Sequence, residues 1–185
     1  MNYKNLLLIP LLIILVVSLS GCVVESGTTF EKNGVRFTYP DDWHVAKSIS
    51  EGSIAAICHG DDDKISILIQ QVPSEYGDTI EQAYANNNQR LALMPGYINI
   101  QENNTTLDNK NLTLHRYIVS DLNGTQKEHV ATWTKMSDGK LYVILYSTPV
   151  ENYEQYKGAY DKVVSSFALE SDPKESIVDQ IKDMI

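Results

Sequence analysis

Two dipeptides, Asn123-Gly124 and Asp138-Gly139, stand between runs of strand-forming residues and restrict the chain more than any other feature. A two-residue hairpin turn needs positive φ at both central positions, which Asn-Gly and Asp-Gly tolerate. The turns therefore join Leu112 to Asp121, Thr125 to Met136 and Leu141 to Ser147 into a three-stranded antiparallel meander. Leu141 to Tyr146 is apolar on both faces, as expected of a central strand covered on both sides. One cover follows directly, because Tyr153, Tyr156, Tyr160, Val163, Val164 and Phe167 recur at helical spacing.

Upstream, Val35 to Tyr39 alternates, Pro40-Asp41-Asp42 breaks the pattern, and apolar runs follow at Ile54 to Cys58 and Ile65 to Val72. Asp78 as N-cap with Glu81 three residues on predicts a helix. Ile80, Ala83, Tyr84, Leu91 and Met94 form its apolar face, and Pro95-Gly96 ends it. Ile98 and Ile100 alternate on the next strand, and the polar run Asn103 to Asn111 reads as an exposed connection. The fold class is α+β, an antiparallel sheet flanked by helices on both faces.

The two ends carry a different signal. Lys4, the 12-residue apolar run Leu6 to Val17 and Leu19-Ser20-Gly21-Cys22 have the order of a signal peptide. The run is too short to cross a membrane, which takes roughly 20 residues, and it contains Pro10. The Leu-Ser-Gly-Cys sequence resembles the lipobox of prokaryotic lipoproteins, and the resemblance implies a diacylglyceryl-type lipid on the Cys22 thiol, completed by a further acyl chain such as palmitate. The expected organisation is a leader at 1–21, a lipidated tether at 22–28, a domain at 29–169 and a short C-terminal amphipathic helix at 170–185. That helix starts at Asp172-Pro173-Lys174-Glu175 and carries Ile177, Val178, Ile181, Met184 and Ile185 on one side. The expected location is the outer face of the cell membrane. Losing Lys4 with the leader leaves 14 basic and 24 acidic residues, a formal charge of −10. Such a surface repels phosphates, and without a basic stripe nucleic acid is excluded as a partner. Only Cys58 remains beside a lipidated Cys22, so no intramolecular disulfide framework is possible.

A family comes into view at Phe37-Thr38-Tyr39-Pro40-Asp41-Asp42-Trp43, where a strand ends in proline and a tryptophan follows. This resembles the opening of PsbP-like domains. Leu141 to Pro149, then Tyr153, Tyr156 and Val163-Val164-Ser165-Ser166-Phe167, resembles the family's last strand and its long C-terminal helix. Together they span most of residues 29–169. The resemblance implies an α/β/α sandwich and a non-enzymatic role, binding or assisting a larger assembly such as a membrane protein complex. The photosynthetic members act at the oxygen-evolving complex and influence calcium and chloride retention. No family ion-binding position matches this chain residue by residue, and Pro40 and Trp43 read as turn and core.

No serine elbow, Cys–His nucleophile pair or helical zinc motif is present in the sequence, so no catalytic residue is assigned and no cofactor beyond the covalent lipid at Cys22 is expected. Cys58 and His59 are adjacent but point to opposite faces if they lie on a strand. His115 and His129 flank the first hairpin. A two-residue turn sets His115 opposite Thr132 and His129 opposite Ile118, on opposite faces of the sheet, whereas a three-residue loop would bring the histidines to one face. Asp61, Asp62 and Asp63, beside His59, form the one concentrated acidic loop, with oxygen ligands for calcium or another divalent ion. Asn103, Asn104, Asn111 and Asn123 head N-x-Ser/Thr glycosylation sequons. Two alternatives to the binding reading stay open: a divalent-ion or small-ligand carrier, and a cell-surface enzyme whose site residues are dispersed.

Overall fold

The computed structural model describes residues 27–61, 64–107, 110–121 and 123–172. The leader, Cys22, Asp62, Asp63 and the C-terminal segment from Pro173 lie outside the described residues. Ten strands run in order: β1 (Thr28–Lys32), β2 (Val35–Tyr39), β3 (Trp43–Ala46), β4 (Ser53–His59), β5 (Ile65–Gln71), β6 (Ile98–Leu107), β7 (Lys110–Ser120), β8 (Gln126–Lys135), β9 (Leu141–Pro149) and β10 (Ala168–Leu169). Helix α1 (Ile80–Leu91) separates β5 from β6, and α2 (Tyr153–Ser166) follows β9.

Seven strands form one antiparallel sheet in the order β3-β4-β5-β9-β8-β7-β6, and β1-β2-β10 form a second, smaller sheet. The doubly apolar strand β9 takes the central position, as its pattern predicts. On one face α2 packs against both β9 and β2. Phe37, Ile57, Ile67, Ile144, Tyr146, Tyr160 and Val163 thus join the two sheets and α2 into one buried cluster. Trp43 is buried in that cluster, and its amide donates to Pro40 O at 3.1 Å, closing the turn that starts β3. The opposite face carries α1, whose Ala83 meets Ala131, Trp133, Leu141 and Val143.

The turns depart from expectation in an instructive way. Ser120 pairs with Gln126, and Asp121 N donates to Thr125 O at 2.8 Å, so the β7–β8 loop has three residues. The β8–β9 loop is built likewise, with Met136 N donating to Lys140 O at 3.0 Å. Gly124 and Gly139 take positive φ, +81° and +78°. Asp121 Oδ1 accepts from Asn123 N–H and Asp138 Oδ1 from Lys140 N–H, an Asx-type bond two residues on in each loop. The two-residue turn occurs instead at Asn33-Gly34, where both residues have positive φ (+59° and +84°) and Lys32 pairs with Val35.

Two further expectations shift. Thr79, not Asp78, caps α1: its hydroxyl accepts from Gln82 N at 3.2 Å while Gln82 Oε1 accepts from Asp78 N at 3.1 Å, a capping box moved by one residue. The polar run from Asn103 is not a loop but the paired ends of β6 and β7, with Thr105 opposite Leu112. It is polar because β6 is an edge strand, where charged and polar residues discourage further pairing.

Candidate functional site

One helix about 10–12 Å across cannot cover seven strands spaced about 4.8 Å apart. Among the described elements, α1 makes its sheet contacts chiefly with β8. Val143 is buried, but Val72 and Leu145 stay only half-buried on the same face. A cavity of about 220 Å³ opens beside α1, with Val72, Ala131, Val143 and Leu145 as its floor and Tyr76 and Tyr117 as its walls. A second, more polar recess on the other flank of the helix is lined by Tyr84, Glu102, Asn104 and Thr113.

The three-residue β7–β8 loop decides what lies under α1. It shifts the register by one from the two-residue expectation, so His115 faces Ala131 and Tyr117 faces His129. A one-residue slip moves every side chain to the other face. His115 and His129 therefore share the α1 face instead of lying on opposite faces. They do not converge on an ion, because the Tyr117 ring packs against both, at 4.7 Å from His115 and 5.1 Å from His129 between centroids. His115 is fully buried, with Nε2 3.3 Å from Tyr97 Oη and 3.9 Å from Glu102 Oε1. Burial lowers its pKa, opposed by the Glu102 charge. His129 Nδ1 lies 2.7 Å from Ser147 Oγ. Desolvation, with Lys127 adding to it, pushes His129 down to about 4. Both imidazoles are thus neutral near pH 7. Tyr84 from α1 meets His115 at 5.4 Å and Trp133 at 6.3 Å, edge to face, and desolvation raises its hydroxyl to about 12.

This face is also where hydrogen bonding is incomplete. Four buried side-chain polar atoms on it fall outside hydrogen-bond geometry among the described residues, Tyr84 Oη, Asn88 Oδ1, His115 Nδ1 and Trp133 Nε1, although the Tyr84 hydroxyl still interacts with Asn88 and Glu102. Each such atom costs about 1–3 kcal/mol unless something satisfies it. The α2 face has Thr134 Oγ1 alone in that state, while Thr132 and Tyr160 hydroxyls bond each other and Tyr146 Oη donates to Tyr153 O.

The residues singled out from sequence are scattered. Asp61 is exposed at the end of β4. His59 pairs with Asp42 at 3.4 Å and packs its ring on Tyr156 at 4.5 Å, on the α2 side, while Cys58 is buried on the other face. Among the described residues no three potential ligands group to hold a metal. Asn103, Asn104, Asn111 and Asn123 are all exposed. Tyr84 and Trp133 escaped the sequence reading as neighbours of His115 because that relation depends on the loop length, and Tyr97 and Glu102 because theirs depends on the β6–β7 register, which places Glu102 opposite His115. The signal available was the third residue, Leu122, ahead of Asn123-Gly124.

The sequence pattern of the PsbP family matches residues 27–169. No curated protein matches the chain. Solved structures that share the fold include the following three. The solution structure of cyanobacterial PsbP (CyanoP) from Synechocystis sp. PCC 6803 has a TM-score of 0.55 at 20% identity, covering 82% of this chain and 97% of that one. LpqN of Mycobacterium tuberculosis, described as involved in cell envelope biogenesis, has a TM-score of 0.55 at 14% identity and covers 78% and 90%. The Ran-binding protein Mog1p of Saccharomyces cerevisiae has a TM-score of 0.55 at 10% identity and covers 79% and 96%.

Proposed function

We propose, from the premise that this chain belongs to the PsbP family, that it is a lipid-anchored, non-catalytic binding module at the outer face of the cell membrane, using the α1 face of its sheet. The observation that carries the reading is the incomplete cover of that face: Val72 and Leu145 stay half-buried beside a cavity of about 220 Å³. A face built only for stability would be filled, as the α2 face is. The His115–Tyr97–Glu102 group speaks against the enzyme reading, since His115 is fully buried and its Nε2 is already within reach of Tyr97. A general base has to come within hydrogen-bond reach of the proton it takes. The leader and Cys22 support the anchor, and the fold's occurrence in a Ran-binding protein is consistent with partner binding.

The test is chemical cross-linking in native membranes, gentle solubilisation, capture of the tagged chain and mass spectrometry. Two controls accompany it: Cys22→Ala, which removes the anchor, and Leu145→Arg, which places a charge on the α1 face. A stoichiometric membrane complex that the wild type retains and both variants lose is expected. Retention unchanged in Leu145→Arg would remove the α1 face from the account, and no complex above background would remove the assembly role.

A further inference from the structure

Leu93, Met94, Ile98 and Ile100 are large apolar side chains that stay exposed, Leu93 by 87%, and they gather at one corner of the domain. The turn after α1 carries the first two. Ser120 N donates to Pro95 O at 2.8 Å and pins that turn to the end of β7, where Ile98 pairs with Ile118. The chain enters the domain at the same end of the sheet. A row of paired residues runs from His44 on β3 through Ser66, Ser147 and Tyr117 to Asn99 on β6, so Trp43 and Ile98 open the two edge strands at one level. Asp41, two residues before β3, accepts from Thr28 Oγ1 at 2.8 Å. The chain from Cys22 to Thr28 reaches at most about 20 Å, against about 29 Å between the edges of a seven-stranded sheet. A lipid on Cys22 therefore keeps this end of the sheet nearest the bilayer. Ile49, 96% exposed, lies in the β3–β4 loop at the opposite end.

We infer that the corner formed by Leu93, Met94, Ile98 and Ile100 inserts into the interface of the membrane that anchors Cys22, a second apolar contact beside the lipid. The short tether brings a bilayer, rather than another surface, to this corner. Arg90, three residues before Leu93, and Asp121, next to Ser120, carry opposite charges, while Asp41, Asp42 and Asp61 are exposed toward the tether. The contact is thus apolar insertion and not attraction to anionic headgroups. This pose stands α1 upright on the membrane and turns the α1 face sideways, toward other proteins of the same bilayer. The inference rests on the lipid anchor of the proposed function, and it adds the orientation.

The chain has two cysteines and Cys58 is 3% exposed, so a maleimide phospholipid couples residues 22–185 at Cys22. The coupled chain is placed on phosphatidylcholine vesicles with and without brominated acyl chains, which quench an indole that enters the bilayer. Leu93→Trp is compared with Ile49→Trp and with the unsubstituted chain, whose Trp43 and Trp133 are buried. Leu93→Trp emission should shift to the blue and be lost to bromine, while that of Ile49→Trp stays unchanged. Met94→Trp repeats the reading if Leu93→Trp fails to fold. Supplying the lipid chemically tests the pose whatever the native Cys22 carries, and the intact mass of the native chain tests the anchor separately. No quenching at position 93, equal quenching at positions 93 and 49, or quenching that appears only when anionic lipid is added would overturn the inference.

Discussion

The pair Arg116–Glu128 allows a sharp test of how the α2 face is held. Arg116 Nε donates to Glu128 Oε1, and the guanidinium sits 3.8 Å above the ring of Tyr153, the first residue of α2. The partners are unequally buried: the Glu128 side chain is 4% exposed, that of Arg116 26%. Arg116→Met therefore leaves a carboxylate in the sheet interior without a counter-charge, which costs about 3–5 kcal/mol. Glu128→Gln keeps the volume and an acceptor for Arg116, whose guanidinium reaches water and keeps its ring contact. The loss is then the difference between a charge-assisted and a neutral hydrogen bond, about 1 kcal/mol. Removing both charges in Arg116→Met/Glu128→Met should cost less than Arg116→Met alone, because no buried charge remains. Urea unfolding reads this out. With a slope near 2 kcal/mol per molar, the midpoint should fall by roughly 2 M for Arg116→Met and about 0.5 M for Glu128→Gln. Equal losses in the two single variants, or a double variant as unstable as their sum, would refute the burial argument.

Other perturbations have equally definite outcomes. Gly34→Ala meets no atom within 4 Å but must hold φ near +84°, so unfolding should register a loss of about 1–2 kcal/mol; Gly52→Ala, whose Cβ would lie 2.3 Å from Gln71 O, should lose more. His129 takes its proton more readily when unfolded, near pH 6.5, than when folded, near 4, so stability should decline as pH falls through that window. His129→Gln should flatten the decline without abolishing it, since His115 is depressed in the same direction. The carrier reading of Asp61–Asp63 requires a saturable calcium shift of those amide resonances, and a flat titration removes it. Intact mass of the native protein should exceed that of residues 22–185 by a lipid, with any further increment in sugar steps assigned to the exposed Asn103, Asn104, Asn111 or Asn123.

Element type was legible where periodicity was strong. The apolar run of β9 gave its central place, the tyrosine and valine stripe gave α2, and Pro40-Asp41-Asp42 gave the turn before β3. The faces of β7 and β8 were not legible, because Asn-Gly suits both a two-residue turn and the last two positions of a three-residue loop. Gly124 at φ +81° with Asp121 bonded across the turn selects the second. That single residue moved His115 under α1. The outer ends of the β6–β7 hairpin read as a connection for a different reason. Asn103, Asn104 and Asn111 are exposed and polar, so the sequence offers no alternation to read, and backbone pairing holds the strands there with a Thr113–Asn104 side-chain hydrogen bond.

The two faces of the sheet divide the work of the domain. On the α2 side, the small sheet, α2 and the main sheet share one apolar cluster, and the buried Glu128 carboxylate is paired with Arg116, which stacks on Tyr153. Stability resides there. On the α1 side a capped helix is set down over tyrosines, histidines and an indole whose polar atoms it does not satisfy. Val72 and Leu145 also stay half-buried there, beside a cavity of about 220 Å³. The α1 face is therefore the side from which binding has most to gain, and substitutions should separate accordingly: Arg116 and Tyr160 changes should move the unfolding midpoint, whereas Leu145 and Ala131 changes should move binding further than they move stability.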